Sequence, residues 1–125
     1  MNIEMVYADR NTPLRAVLLG SMTRAWYEAT DEERRQRILP RFAQVMSEWS
    51  EIAVKVLATV DDDLLMVGEP RSTGTTFYVI VEVLEFEDVA RMIQCVRASV
   101  DGVRLDSYTR WEARVGRPLF LLEPT

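Results

Sequence analysis

Histidine is absent from this 125-residue chain. That removes the commonest general base near neutral pH, the Ser-His-Asp and Cys-His nucleophile arrangements, and most zinc, non-haem iron and haem ligation. Cysteine is nearly absent too. With Cys95 alone there is no intramolecular disulfide framework, and a reducing cytoplasm is the compartment that fits. A metal site would need an all-oxygen ligand set, so no metal is expected. An excess of positive charge is also missing: 15 Lys and Arg stand against 20 Asp and Glu, interleaved along the chain, for a net charge of −5. Phosphate binding needs a concentrated basic surface, so no nucleic-acid partner is expected. No apolar run approaches the ~18 residues of a membrane span, and residues 1–12 lack a basic-then-apolar leader pattern, so no membrane partner is expected either.

What is present is an ordinary globular composition, 48% hydrophobic and 28% charged. The length suits one domain with its own core. Residues 1–13 mix polar and apolar positions without a period and read as an N-terminal arm or a short edge strand; the single domain is expected over 14–125. LRAVLLGSM, residues 14–22, reads as a buried strand. Residues 23–29 read as a loop holding Arg24, Trp26 and Tyr27, aromatics that either form a lid or dock on the core. Thr30 followed by Glu33 is a capping box, and Asp31 and Glu32 favour the positive end of a helix dipole. The helix that follows carries Ile38, Phe42, Val45, Met46 and Trp49 on one stripe. Pro40 interrupts it and predicts a kink or two abutting pieces.

Residues 52–60 read as a second strand running into Asp61-Asp62-Asp63, a solvated turn or, if buried, the source of a base. Residues 75–84 are the clearest strand, with Phe77, Val79, Val81 and Val83 on one face and Tyr78, Ile80, Glu82 and Leu84 on the other. Residues 86–98 read as a second helix with Val89, Met92, Ile93 and Val96 inward and Cys95 beside them as inert packing. Asp101-Gly102 turns the chain into its last strand. There the two-residue period puts Tyr108, Arg110, Glu112 and Arg114 on one side and Thr109, Trp111, Ala113 and Val115 on the other. The polar ladder is either an exposed, self-neutralising sheet face or the wall of a dimer interior or pocket in which guanidiniums hold an anion. The apolar tail 119–122 needs somewhere to dock.

The order strand, helix, strand, strand, helix, strand predicts an α+β fold, the ferredoxin-like βαββαβ plan with an antiparallel sheet. Both helices would cover one face of that sheet. The alternating residues of the other face are too apolar for water, which predicts a homodimer closed face to face, a dimeric α+β barrel.

Two stretches resemble a known group. Residues 56–68, VLATVDDDLLMVG, and residues 110–119, RWEARVGRPL, are similar to signatures of small proteins from bacterial indole and indole-3-acetate degradation clusters. The resemblance spans roughly residues 14–119. It implies a dimeric α+β barrel and, for some members, an oxygenase without metal or flavin that opens the ring of a hydroxylated oxindole. The lack of histidine departs from those oxygenases that use a histidine base.

Such chemistry needs a base, a donor or cation for an enolate oxygen, and a dry aromatic pocket for a small aromatic substrate. The candidates for catalysis are Arg110, Glu112, Asp63 and Tyr78. Those for substrate binding are Trp26, Tyr27, Phe42, Met46, Trp49, Tyr108, Trp111 and Arg114. Two other readings stand beside this one: a cyclase, isomerase or dehydratase using the same pocket, and a non-catalytic dimeric accessory or binding module.

Overall fold

A computed structural model describes residues 14–69 and 76–119. The expected arm at 1–13, the breaker residues 70–75 and the tail 120–125 lie outside the described residues. Four strands, β1 (Leu14–Met22), β2 (Lys55–Asp61), β3 (Phe77–Val83) and β6 (Thr109–Gly116), form one sheet in the order β2-β3-β1-β6. All three of its pairings are antiparallel. The long helix α3 (Leu39–Ile52) and the helix α4 (Phe86–Arg97) share a core with the sheet. This is the ferredoxin-like plan expected from the order of elements.

The core follows the strand alternation. Ala16 and Leu18 of β1 and Val79, Val81 and Val83 of β3 are buried beneath Val45 and Trp49 of α3 and Val89, Met92 and Val96 of α4. On the opposite face Val17, Leu19, Tyr78 and Ile80 stay partly exposed, because no layer among the described residues lies over them. Just past β2, Leu64 and Val67 are 93% and 83% exposed, within an apolar run that also leaves Leu65 and Met66 in water.

Several boundaries differ from expectation for physical reasons. The predicted loop at 23–29 contains a short helix, α1 (Arg24–Glu28), closed by an Arg24–Glu28 ion pair one turn apart. Its local signal is weak because neither apolar periodicity nor a capping side chain marks so short a helix. Thr30 does cap the next helix, accepting from Glu33 N at 3.1 Å, and a single helical turn, α2 (Asp31–Glu33), leads into a π-turn over Arg34–Ile38. The expected abutting pieces are therefore this π-turn and α3, which meet at Leu39 just ahead of Pro40. The wider turn, in which Leu39 N bonds back to Arg34 O, delivers Pro40 to the first turn of α3, where its missing N–H costs nothing. Helix α3 then runs to Ile52, so β2 starts at Lys55 and ends on Asp61.

The Asp101-Gly102 turn does not lead straight into the last strand. It closes a hairpin of β4 (Ser99–Val100) and β5 (Val103–Arg104), followed by a 3-10 turn at Leu105–Ser107. Both turn residues have positive φ, 52° and 76°, the backbone of a tight two-residue hairpin. Tyr108 accordingly stands before β6, partly buried against the core, and is not a rung of the polar ladder.

Among the described residues the helix layer buries two charged side chains, Asp88 in the first turn of α4 and Arg41 of α3, and periodicity does not reveal the second. Arg41 is 4% exposed and donates through Nη2 to Cys95 O at 2.8 Å and Ala98 O at 3.3 Å. It thereby satisfies carbonyls at the end of α4, and Glu48 lies 3.8 Å from its Nη1. Beside this cluster, burial, with help from the Glu48 carboxylate, pushes the Cys95 thiol up to about 11. At pH 8 its thiolate fraction is then about a thousandth, against roughly a quarter for a free thiol. Iodoacetamide alkylation of the folded chain at pH 8 is expected to be at least ~100-fold slower than in urea, rising about tenfold per pH unit toward pH 10. A rate equal to that of the unfolded chain would show that the thiol is not held in this environment.

Candidate functional site

The residues expected at a site divide between the two faces of the sheet. Asp61 pairs with Phe77, Phe77 with Gly20, and Gly20 with Trp111, so these four form one row across all four strands. The row lies on the helix side, because Trp49 of α3 stacks edge-on against Trp111 with ring centroids 4.8 Å apart. Phe42 approaches Phe77 at 5.8 Å and Trp111 at 6.3 Å, and Phe77 meets Trp111 edge to face at 5.0 Å. Such tilted and edge contacts are the favoured aromatic geometry.

Glycine at position 20 makes this arrangement possible. A Cβ there would lie 2.6 Å from Phe77 Cζ, inside the space the ring now occupies. Met46, one turn along α3 from Phe42, is partly buried against the same core. Phe42, Phe77 and Trp111 are likewise only partly buried, whereas Trp49 is 1% exposed. The aromatic wall thus begins in the core and reaches the surface where the carboxylate of Asp61 stands.

Both indole N–H groups on this side are already used. Trp49 Nε1 donates to Met92 O at 2.7 Å, locking α3 to α4. Trp111 Nε1 donates to Thr109 Oγ1 at 2.9 Å, and that buried hydroxyl donates to Leu105 O at 2.9 Å. The wall therefore offers ring faces and edges, and polar contacts with a ligand fall to Asp61 and to Thr59. Thr59 precedes Asp61 by two residues on β2 and shares its face, opposite Val79.

The three aspartates are separated by the same alternation. Asp61 ends β2 on the helix side, whereas the Asp62 carboxylate accepts from Tyr78 Oη at 3.1 Å, and Tyr78 lies on the open face. That bond to Asp62 is the main reason the Tyr78 phenol is raised above its ordinary value, with desolvation and the Asp62 charge adding to it. A raised phenol is a poorer source of phenolate near neutral pH. Asp63 lies beyond the strand and is exposed.

The other candidates are distributed as follows. Arg110, Glu112 and Arg114 are exposed along β6, with Arg114 Nη2 donating to Glu112 Oε1 at 2.9 Å. Trp26 packs against the core under the guanidinium of Arg34, 5.1 Å from its ring, while Tyr27 is 64% exposed. Arg34 also donates to the carbonyls of Trp26 and Tyr27 at 3.0 Å, which pins α1 beside the π-turn. Phe42, Met46, Trp49 and Trp111 are thus brought to one side, and Tyr78, Arg110, Glu112 and Arg114 to the other. Phe77, Asp61 and Gly20 complete the row on the helix side; the sequence signals for it are the strand face that Phe77 shares with Val79 and the run Asp61-Asp62-Asp63 as a source of a base, and neither signal says that they meet.

No family model matches this chain. No curated protein matches it either. Among solved structures it is similar to SnoaB, a cofactor-independent oxygenase from Streptomyces nogalater, at 11% identity over 83% of this chain and 90% of that one, with a TM-score of 0.39. A likeness that distant carries no argument about chemistry, and the fold assignment here rests on strand order and pairing.

Proposed function

We propose that the chain is a cofactor-independent oxygenase of an electron-rich, enolisable aromatic such as a hydroxylated oxindole, working as a homodimer in the cytoplasm. The observation that carries this reading is the row in which Asp61 stands next to Phe77 at one sheet edge, while the Phe77 ring reaches over Gly20 to Trp111 at the other, with Phe42 above both rings. A flat bicyclic substrate suits a wall of edge-presenting aromatic rings. A carboxylate at its rim is placed to take the acidic proton, and the Thr59 hydroxyl to donate to the enolate oxygen. The enolate then gives its electron pair to one O2, in one-electron steps, forming a carbon–oxygen bond. Return of the proton yields a hydroperoxide, whose terminal oxygen adds to the neighbouring lactam carbonyl. Breaking the O–O bond together with the ring carbon–carbon bond opens the ring to a carboxylic acid and a carbamic acid, which together keep both oxygens of O2. The resemblance of residues 56–68 to the indole-degradation signature agrees with this, since that stretch contains both Thr59 and Asp61.

The test is oxygen uptake with 3-hydroxyoxindole in the presence of a chelator. Uptake above autoxidation is expected, and Asp61→Asn is expected to lower it at least ~100-fold while leaving the thermal unfolding midpoint nearly unchanged. If Glu112→Gln abolishes uptake and Asp61→Asn does not, the base lies on the open face, with Arg110 and Arg114 as the cations. Substrate loss under nitrogen without oxygen uptake would instead favour a cyclase or isomerase.

A further inference from the structure

Behind the aromatic wall lies a buried threonine. Thr109 is 1% exposed at the start of β6, two residues before Trp111 and on the same strand face. Its hydroxyl lies 2.9 Å from Trp111 Nε1 and 2.9 Å from Leu105 O. The direction of this chain of bonds follows from the groups themselves. An indole N–H can only donate and a carbonyl can only accept, so the hydroxyl donates to Leu105 and presents a lone pair to Trp111.

The acceptor is itself fixed. Leu105 is 0% exposed, and its carbonyl also accepts from Tyr108 N at 2.9 Å. The 3-10 turn that carries it is tied to the residue after β1. There Thr23 donates from its N–H to Tyr108 O at 2.9 Å and from its hydroxyl to Ser107 O at 2.8 Å. The lone pair offered to Trp111 therefore has a set position in the fold.

That lone pair acts on a ring with two choices. The terminal torsion of a tryptophan side chain is broad and roughly two-fold, so the flat indole can fill one slot in either of two flips. Trp49, Phe77 and Phe42 meet Trp111 edge-on or tilted at 4.8, 5.0 and 6.3 Å, contacts that distinguish one edge of an indole from the other only weakly. The nitrogen distinguishes them strongly. In one flip Nε1 meets Thr109; in the other it turns away from that hydroxyl, and a partly buried N–H loses its partner.

We propose that Thr109 is a positioning residue: its hydroxyl holds the Trp111 ring in the flip that keeps the indole N–H out of the wall. On the reading of the row as a substrate site, which this inference takes over, the bound aromatic then has a direction. Its hydrocarbon edge points to the Phe42, Phe77 and Trp111 cluster, and the edge bearing the acidic proton points to Thr59 and Asp61 of β2. An indole N–H within that cluster would be a rival donor to the enolate oxygen and would favour the reversed pose. Thr109 acts only through Trp111 and touches no substrate.

The test divides the threonine side chain in two. Thr109→Val keeps the branched shape and removes the oxygen, whereas Thr109→Ser keeps the oxygen and removes the methyl group. The chain has three tryptophans, and the Trp111 indole N–H is the cross-peak missing from the nitrogen–proton spectrum of Trp111→Phe. In wild type and Thr109→Ser this N–H is expected to exchange slowly with solvent. In Thr109→Val its exchange is expected to be at least ~10-fold faster, with an upfield shift, as loss of one hydrogen bond requires. Oxygen uptake with 3-hydroxyoxindole, per folded chain, is expected to fall ~10-fold in Thr109→Val and to stay within about twofold of wild type in Thr109→Ser. A role in packing alone would give the opposite order, since only serine leaves a gap in the core. Unchanged N–H exchange in Thr109→Val overturns the bond. Changed exchange with unchanged uptake overturns the positioning role. If Thr109→Val does not fold, wild-type exchange decides, and a Trp111 N–H as fast as that of free tryptophan overturns the bond. A wild type without oxygen uptake overturns the oxygenase reading alone, because N–H exchange is read without substrate.

Discussion

Trp49→Ala lowers stability by about 3–5 kcal/mol, the range for truncating a fully buried large aromatic. The side chain is 1% exposed, fills the junction of α3, α4 and β6, and carries the bond from its Nε1 to Met92 O. Removing it leaves a cavity beneath Trp111, whose ring loses its edge contact at 4.8 Å. Trp49→Phe restores part of the volume but not the hydrogen bond, so a smaller loss of about 1–2 kcal/mol is expected. For a domain whose whole stability is about 5–15 kcal/mol, the alanine variant approaches the unfolding threshold. Urea unfolding measures both, with the midpoint falling and the slope unchanged. A loss below about 1 kcal/mol for Trp49→Ala would mean that the junction is not packed as described.

Gly20→Ala has the second large effect, and here the cause is an addition. The new methyl group enters space held by the Phe77 ring, with Cζ only 2.6 Å from it. Because Phe77 is partly exposed, the ring has a way out, so the expected cost is that of overpacking, about 1–3 kcal/mol, and not a failure to fold. The functional consequence is larger. A displaced Phe77 opens the aromatic wall beside Asp61, and turnover in the proposed reaction is expected to fall at least ~10-fold. Phe77→Leu in the same background makes room for the methyl group, so the stability costs of the two changes are expected to be clearly less than additive, with a coupling of about 0.5–3 kcal/mol. Strict additivity would show that the two residues do not compete for one space.

Much of the fold is legible in the sequence because its signals are local. The three- and four-residue spacing of Ile38, Phe42, Val45, Met46 and Trp49 is the inward stripe that runs from the π-turn, which holds Ile38, into α3, and Thr30 caps the helical run ahead of it. The alternation of Phe77, Val79, Val81 and Val83 marks the inward face of β3, and that of Trp111, Ala113 and Val115 the inward face of β6. Arg41 was hidden because an arginine on a helix ordinarily reads as solvated; only the arrival of the α4 carbonyls made it a buried donor. Residue chemistry marks Asp63, Tyr78 and the β6 ladder as candidates but contains no information about which sheet face each occupies.

That information comes from register, and one residue decides it. Lys55 pairs with Glu82, but the pairing of β2 with β3 slips between Val56 and Ala58, a bulge that reverses which way every later side chain of β2 points. Without the slip Val60 would stand beside Phe77 and Asp61 would turn to the open face. With it, Asp61 joins the aromatic wall, while Val60 and Ala58 join the apolar centre of the uncovered face. The residue types of both faces are written in the chain, but the pairing that assigns Asp61 to one of them depends on strands far apart in sequence, and only their packing sets it.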